Sequence, residues 1–228
     1  MTSAKLGSAA VGASALDLAN LGTSLWKAGG NAGTTAGTHF LGTTDNVALE
    51  FKANSVRGLR IEPNTSSAPN VVAGAAVNSV SSGIVGATIA GGGAGSFNGT
   101  AITNIVKAHF GVIGGGGANG INTGATNSVI AGGYANVIST NAAFATVGGG
   151  IANGAGTNAA TVAGGYYNLA SGFESTVAGG EANLASGTAS FIGGGVTNIA
   201  SGFEAVVGGG ELNDATGAIT FVGGGYFN

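Results

Sequence analysis

The sequence contains no cysteine, so neither a disulfide framework nor a thiolate metal site is available to it. Proline is nearly absent as well, at 2 of 228 residues, and no Gly-X-Y triplet is sustained, which excludes a collagen helix despite the 48 glycines. Charge is scarce: 7% of residues are Asp, Glu, Lys or Arg, where ordinary globular domains carry roughly 25%. A disordered chain ought to be polar and charged, yet 44% of this one is hydrophobic. Basic residues are missing from the second half. All six (Lys5, Lys27, Lys52, Arg57, Arg60 and Lys107) precede Val112, beyond which stand five acids and no base. That leaves no electrostatic grip on nucleic-acid phosphates. No apolar run of about 20 residues goes uninterrupted by Gly, Asn or Ser, as a membrane-spanning helix would require. The N-terminus, Lys5 followed by Ala, Gly, Ser and then Asp17, is a weak match to a signal peptide, so either export by another route or a fragment of a longer chain is expected.

What is present is a repeat. From residue 146 the chain falls into 15-residue lines: TVGGGIANGAGTNAA, TVAGGYYNLASGFES, TVAGGEANLASGTAS, FIGGGVTNIASGFEA, VVGGGELNDATGAIT, and the partial FVGGGYFN. The same opening recurs upstream with longer spacing at residues 71, 88, 112 and 129, making ten copies. The second position is Val or Ile in all ten: Val72, Ile89, Ile113, Ile130, Val147, Val162, Val177, Ile192, Val207 and Val222. A β-branched residue recurring once per unit reads as an inward ladder of stacked strands. The third position is Ala or Gly and the fourth is always Gly, supplying positive φ and close backbone approach at a corner. The eighth is Asn in nine copies, which fits either a left-handed turn or a stacked amide ladder. A unit this short cannot bury a core alone, so the units must stack, ten rungs at ~4.8 Å giving about 48 Å. Helix is excluded, because glycine pairs at this spacing would each cost about 1 kcal/mol per Gly.

Alternation along Phe173-Glu174-Ser175-Thr176-Val177 predicts Phe173, Ser175 and Val177 on the inner side, and Phe203 likewise one repeat-pair later. Glu174 and Glu204 share one repeat position, Glu181 and Glu211 another, each pair two coils apart with Ala189 or Val196 between. Directly stacked carboxylates would repel, and the alternation separates them. Copies beginning at 71, 112 and 129 have 17 residues and the copy at 88 has 24, so the extra residues are expected to bulge outward and leave the glycine corner in register.

These lines resemble the head repeats of trimeric autotransporter adhesins of the YadA type. They resemble still more the GGG-x-x-N-x-A-S-G arrays of bacterial and phage fibre proteins, which often end in an endosialidase-type intramolecular chaperone. The stretch Gly37-Thr-His-Phe-Leu-Gly-Thr-Thr-Asp-Asn46 followed by LEFKANSVRGLRIEPN (49–64) is similar to a module that precedes such arrays. The resemblance covers roughly residues 24 to 228. It implies an all-β chain: a left-handed parallel β-roll or solenoid of about 15-residue coils, three chains to a stalk, extracellular on a cell surface or a phage-like tail.

Upstream of the array, residues 48–62 read as a hairpin in which Leu49, Phe51 and Ala53 alternate with Glu50 and Lys52, Asn54 to Gly58 turns, and Leu59 and Ile61 alternate with Arg60 and Glu62. Residues 1–47 are rich in Ala, Gly, Ser and Thr, with five leucines near Trp26, and fit either a short helix or interface strands. Trp26 reads as a packing anchor rather than a ligand platform. The expected division is a connector over 1–23, a small β-hairpin module over 24–70, and the roll over 71–228.

Enzyme chemistry finds no support in the residues, and neither catalytic residues, a cofactor nor a metal is expected. The GGGG run at 114–117 lacks the Gly-Lys-Ser/Thr of a phosphate loop. A calcium nonapeptide array would need recurrent Asp, and only Asp214 occurs in the repeats. His109 and His39 sit in no catalytic motif, and the acids follow the repeat rather than converging as a glycan-cleaving tailspike would need. An ice-binding or other surface-binding solenoid is the main alternative, but its threonine rank (Thr146, Thr161, Thr176) breaks at Phe191. The expected function is a structural fibre or adhesin module, a homotrimeric shaft or head that projects or contacts a glycan or protein receptor. Phe97, Lys107, His109 and Phe110 in the long copy, with Tyr134, Tyr166, Tyr167, Tyr226 and Phe227 after the glycine corner, could either contact a receptor or pack between chains.

Overall fold

Each full copy of the repeat contributes two very short strands, one at its first and second positions and one, in the uninterrupted copies, at its ninth and tenth, and these short rungs stack into two long sheets. The structure, a computed structural model, describes residues 29–228. The leucines and Trp26 of the N-terminal segment, and the whole 1–23 connector, lie outside the described residues. The chain divides into two compact units, 1–44 and 45–228. Of the first unit, residues 29–44 form bends and turns, with the Thr35 N–H donating to His39 Nδ1 at 3.0 Å and the His39 N–H returning to the Thr35 carbonyl at 3.0 Å.

The second unit is all β among the described residues and holds a solenoid of about ten turns built on parallel pairing. It opens with β1 (Leu49–Ala53) and β2 (Val56–Glu62), an antiparallel pair, and β2 in turn pairs antiparallel with β3 (Asn70–Ala73). From β3 onward every neighbour in this 12-stranded sheet is parallel, and the second sheet has nine parallel strands. The hairpin therefore belongs to the same sheet and the same compact unit as the roll, so residue 70 falls inside continuous structure. Its turn is tighter than the sequence suggested. Asn54 and Ser55 alone form it, at φ 48° and 62°, the pair of left-handed residues a primed hairpin turn needs. Val56 to Gly58 are already strand, and Gly58 is accommodated where the register shifts between Phe51 and Lys52.

The β-branched ladder is the core. Ile113, Ile130, Val147, Val162, Val177, Ile192 and Val207 pair one above another in unbroken parallel register, all fully buried. Facing them from the second sheet are Val106, Ile121 and Ile138, and then Ala155, Ala170, Ala185, Ala200 and Ala215. The change from large to small side chains coincides with the loss of two residues per coil. In the 17-residue copies those two residues lie in the return loop and do not simply bulge outward. Ala125 and Ala142 point in and are fully buried, while Ile84, their counterpart, packs partly against the core. A wider cross-section filled by Ile plus Ala gives way to a narrower one filled by Ala, which keeps the interior close-packed.

Alternation fails at Phe173 and Phe203, which are 47% and 51% exposed rather than inward. The residue after each, Glu174 or Glu204, has φ 55° or 53°, so the backbone turns there and the period-2 argument does not carry across it. Two such corners recur per coil. One is the position before the ladder Asn (Ala152, Tyr167, Ala182, Thr197, Leu212) and the other precedes the first strand (Ala159, Glu174, Ala189, Glu204, Ile219). A left-handed non-glycine residue costs roughly 1–2 kcal/mol. Each corner N–H compensates by donating to the preceding coil, as Ala152 does to the Tyr134 carbonyl at 2.9 Å, whereas strand N–H groups donate to the following coil. In the regular coils glycine is needed at the fifth position for a further reason: Gly165 has φ 96°, and a Cβ there would run into the carbonyl oxygen of Gly180.

Of the two readings open for the repeated Asn, the amide ladder is the one adopted. Asn119, Asn136, Asn153, Asn168, Asn183, Asn198 and Asn213 are buried, and each side-chain oxygen accepts the backbone N–H of the next Asn in the column. Each Nδ2 donates to a carbonyl four residues back and to a glycine carbonyl of the following coil, for Asn168 to Gly164 at 3.0 Å and Gly180 at 2.8 Å. The copy at 88 also has its Asn. A nine-residue insertion, forming the antiparallel ribbon Ala94–Phe97 and Thr100–Ile102, separates Gly93 from Asn104, which is fully buried and joins the column between Asn78 and Asn119.

Candidate functional site

The outward positions of the stacked coils form continuous ranks, and these are the surfaces on which a contact can be built. On the first sheet the rank reads Val112, Val129, Thr146, Thr161, Thr176, Phe191, Val206, Phe221, each paired in register with the next. Thus the three threonines do stand in one column, and Phe191 interrupts it directly above Thr176. On the second sheet the rank reads Gly120, Val137, Gly154, Leu169, Leu184, Ile199, Asp214. Neither rank carries a charge until Asp214.

The glutamates sit at the corners between the sheets. Glu181, Val196 and Glu211 are consecutive members of a column that also holds Tyr134, Ile151, Tyr166 and Tyr226. Glu174 and Glu204 occupy the other corner, two coils apart across Ala189, whose N–H donates to the Phe173 carbonyl at 2.7 Å. The spacing of carboxylates expected from the repeat is therefore the spacing observed.

Aromatic residues expected to lie after the glycine corner are all exposed: Tyr134, Tyr166, Tyr167, Tyr226 and Phe227. Tyr166 and Tyr167 meet edge to face, with ring centroids 4.4 Å apart. Desolvation chiefly, then the Tyr167 phenol and the Glu181 carboxylate, raise the Tyr166 pKa above its ordinary value. The long copy's aromatics do not converge. Phe97, on the inserted ribbon, shares a shallow pocket with Tyr134, Ile102 and Gly117. Phe110 and His109 lie instead at the opposite corner of the same coil, ring centroids 6.4 Å apart, and His109 Nδ1 accepts the Val85 N–H at 3.2 Å.

The glycine run at 114–117 is a corner. The Gly114 N–H donates to the Ile130 carbonyl and the Gly117 N–H to the Gly133 carbonyl, both at 2.9 Å, so these two donors are engaged by the next coil. Among the described residues no three His, Asp or Glu side chains gather as a metal site would need, and no helix is long and apolar enough to cross a membrane. No protein-family model matches the chain, and no curated protein matches its sequence.

Two features escaped the sequence reading. Asn104 is one, although Thr103-Asn104-Ile105-Val106 repeats Thr197-Asn198-Ile199-Ala200 almost letter for letter and was the available signal. The other is a polar cavity of about 650 Å³ where the hairpin's exit loop faces the return loop of the first coil, lined in part by Arg60, Glu62, Asn70 and His109. Its residues are scattered from 46 to 109 and share no motif.

Proposed function

We propose that this chain is a structural fibre or adhesin module: a left-handed solenoid of roughly 15-residue coils, assembled as a homotrimer, that projects from a cell surface or a phage-like tail and contacts a receptor. The observation that carries the reading is the distribution of charge. Two broad sheet faces have no ionised side chain over most of their length, and the glutamates occupy the corners that separate them. Valine, leucine and phenylalanine on those faces, including Val129, Val137, Leu169 and Phe191, are more than a third exposed in the single chain. Apolar surface of that extent on a soluble protein marks a contact with another molecule.

The geometry of closure favours three copies over two. A twofold dimer buries one face against itself, whereas a ring of three sets one face of each chain against a different face of the next. Two uncharged faces flanked by charged corners suit the ring. Stacking repeats each weak contact at ~4.8 Å intervals, so small gains accumulate along the array. Light scattering coupled to size exclusion tests this directly. A mass three times the 21.3 kDa chain is expected, and a mass near 21.3 kDa at micromolar concentration would overturn it.

A further inference from the structure

We propose that the cavity between the hairpin and the first coil binds a neutral pyranose residue of a glycan. This rests on the receptor-contact reading above and names the chemistry of one contact. The cavity, about 650 Å³, falls within the roughly 300–1,000 Å³ of ordinary ligand sites. It occurs where the repeat is interrupted: the loop leaving β2 stands opposite residues 81–85, and His109 closes one side.

The chemistry of the lining defines the ligand. Arg60 Nη2 and Glu62 Oε1 are 2.9 Å apart, so the one cation and the one anion of the site neutralise each other. A carboxylate or phosphate ligand would meet Glu62, and a cationic one would meet Arg60. Hydrogen-bonding capacity nevertheless remains. The Arg60 guanidinium carries five N–H donors, of which the contact with Glu62 engages Nη2, and its buried Nε–H has no partner within the chain. His109 accepts at Nδ1, which places its proton on Nε2 as a further donor. Asn70, nearly fully buried, donates to Glu62 Oε2 at 3.3 Å and to the Ile84 carbonyl at 2.9 Å, fixing the carboxylate in place. The Ser82 hydroxyl lies at the exposed rim. A mixture of fixed donors and acceptors with no net charge suits hydroxyl groups, which both donate and accept. Ile84 and its neighbours Val80 and Val85 provide an apolar wall for the C–H face of a sugar ring.

The test is a glycan array probed with the fluorescently labelled full chain, its Arg60→Ala and Ser82→Trp variants, and Thr188→Ala as a control outside the cavity lining. Binding to a subset of neutral glycans is expected. It should fall about tenfold or more in Arg60→Ala, as loss of charge-assisted hydrogen bonds implies. Ser82→Trp, which blocks the rim without touching the ion pair, should abolish it with an unchanged melting temperature, and Thr188→Ala should retain it. No glycan above background, binding confined to acidic glycans, or binding that survives Ser82→Trp would each overturn the proposal. Light scattering on the same samples separates the two readings: a trimer that binds no glycan removes the pocket alone, and a monomer that binds one removes the fibre assembly alone.

Discussion

The side-chain amide of Asn198 stands over that of Asn183, its Nδ2 donating to Asn183 Oδ1 at 3.0 Å while its own backbone N–H donates to the same oxygen at 2.9 Å. Asn198 Oδ1 then receives the backbone N–H of Asn213 at 3.0 Å and its Nδ2 at 3.1 Å. Every rung therefore depends on the ones before and after it.

Truncating one rung should be felt on both sides. Asn198→Ala removes the acceptor for the Asn213 N–H and the donor to the carbonyls of Gly194 and Gly210. Buried groups left unpaired cost about 1–3 kcal/mol each, so the variant should lose roughly 2–4 kcal/mol, or about 5–15 °C in melting midpoint. Asn198→Asp adds a pH signature. A buried carboxylate facing those carbonyl oxygens has its pKa raised in the folded state. The folded protein then binds the extra proton, so the deficit against wild type is full above the raised pKa and shrinks as pH falls toward the unfolded value of about 3.9. Melting both proteins at neutral and acid pH checks this; a deficit that does not change with pH would count against the ladder.

Val177 lies in the core column between Val162 and Ile192 and is fully buried. Val177→Asp should abolish cooperative unfolding of the array, since an unpaired carboxylate in an apolar interior costs several kcal/mol. Thr188→Asp, at an exposed corner of the same coil, should melt within a few degrees of wild type. Circular dichroism melts of the pair suffice, and equal stability would refute the inward assignment.

The inserted ribbon should be removable, but only with the right endpoints. Ala94 pairs with Ile102, and a Cβ on Gly93 would lie 3.0 Å from the Ile102 carbonyl oxygen, so the chain leaves and re-enters the coil at nearly one place. Deleting residues 94–102 joins Gly93 to Thr103 and restores the spacing of the regular copies. This variant should melt as wild type does. Deleting 96–104 removes Asn104 and its bonds to Gly91, Gly116 and Asn119, and should aggregate or melt well below it. Equal behaviour of the two deletions would show that the column does not need this rung.

Features periodic in the sequence were legible there. Val or Ile at the second position in ten copies out of ten announced the core, and the spacing of Glu181 and Glu211 announced their shared corner. What could not be read was conformation inside a copy. Phe173 looked inward because nothing in its letters shows that Glu174 takes a left-handed conformation, one that ordinarily favours Gly or Asn. The extra residues of the 17-residue copies were expected to bulge outward, and the burial of Ala125 and Ala142 shows instead a wider coil closed over them. The Arg60 cavity was hidden for a different reason: Glu62, Ile84 and His109 become neighbours only through the offset between one coil and the next.

The proposed assembly makes a prediction that separates three copies from two. In a ring of three, the first-sheet face of one chain meets the second-sheet face of its neighbour, so a charge on either face sits in an interface. Phe191, 39% exposed on the first sheet, and Leu169, 39% exposed on the second, both point away from the core. Phe191→Lys and Leu169→Lys should each dissociate the assembly, because a lysine ammonium stripped of water against an apolar face is left without a partner. In a twofold dimer one face alone is self-paired, and one of the two variants would then leave the mass unchanged. Glu181→Gln, at a corner assigned to water, should not alter the mass in either case. Light scattering on the three variants, with circular dichroism to show that the rungs remain folded, decides among these outcomes: two dissociated lysine variants support the ring, one dissociated variant points to a dimer, and none removes the assembly through these faces.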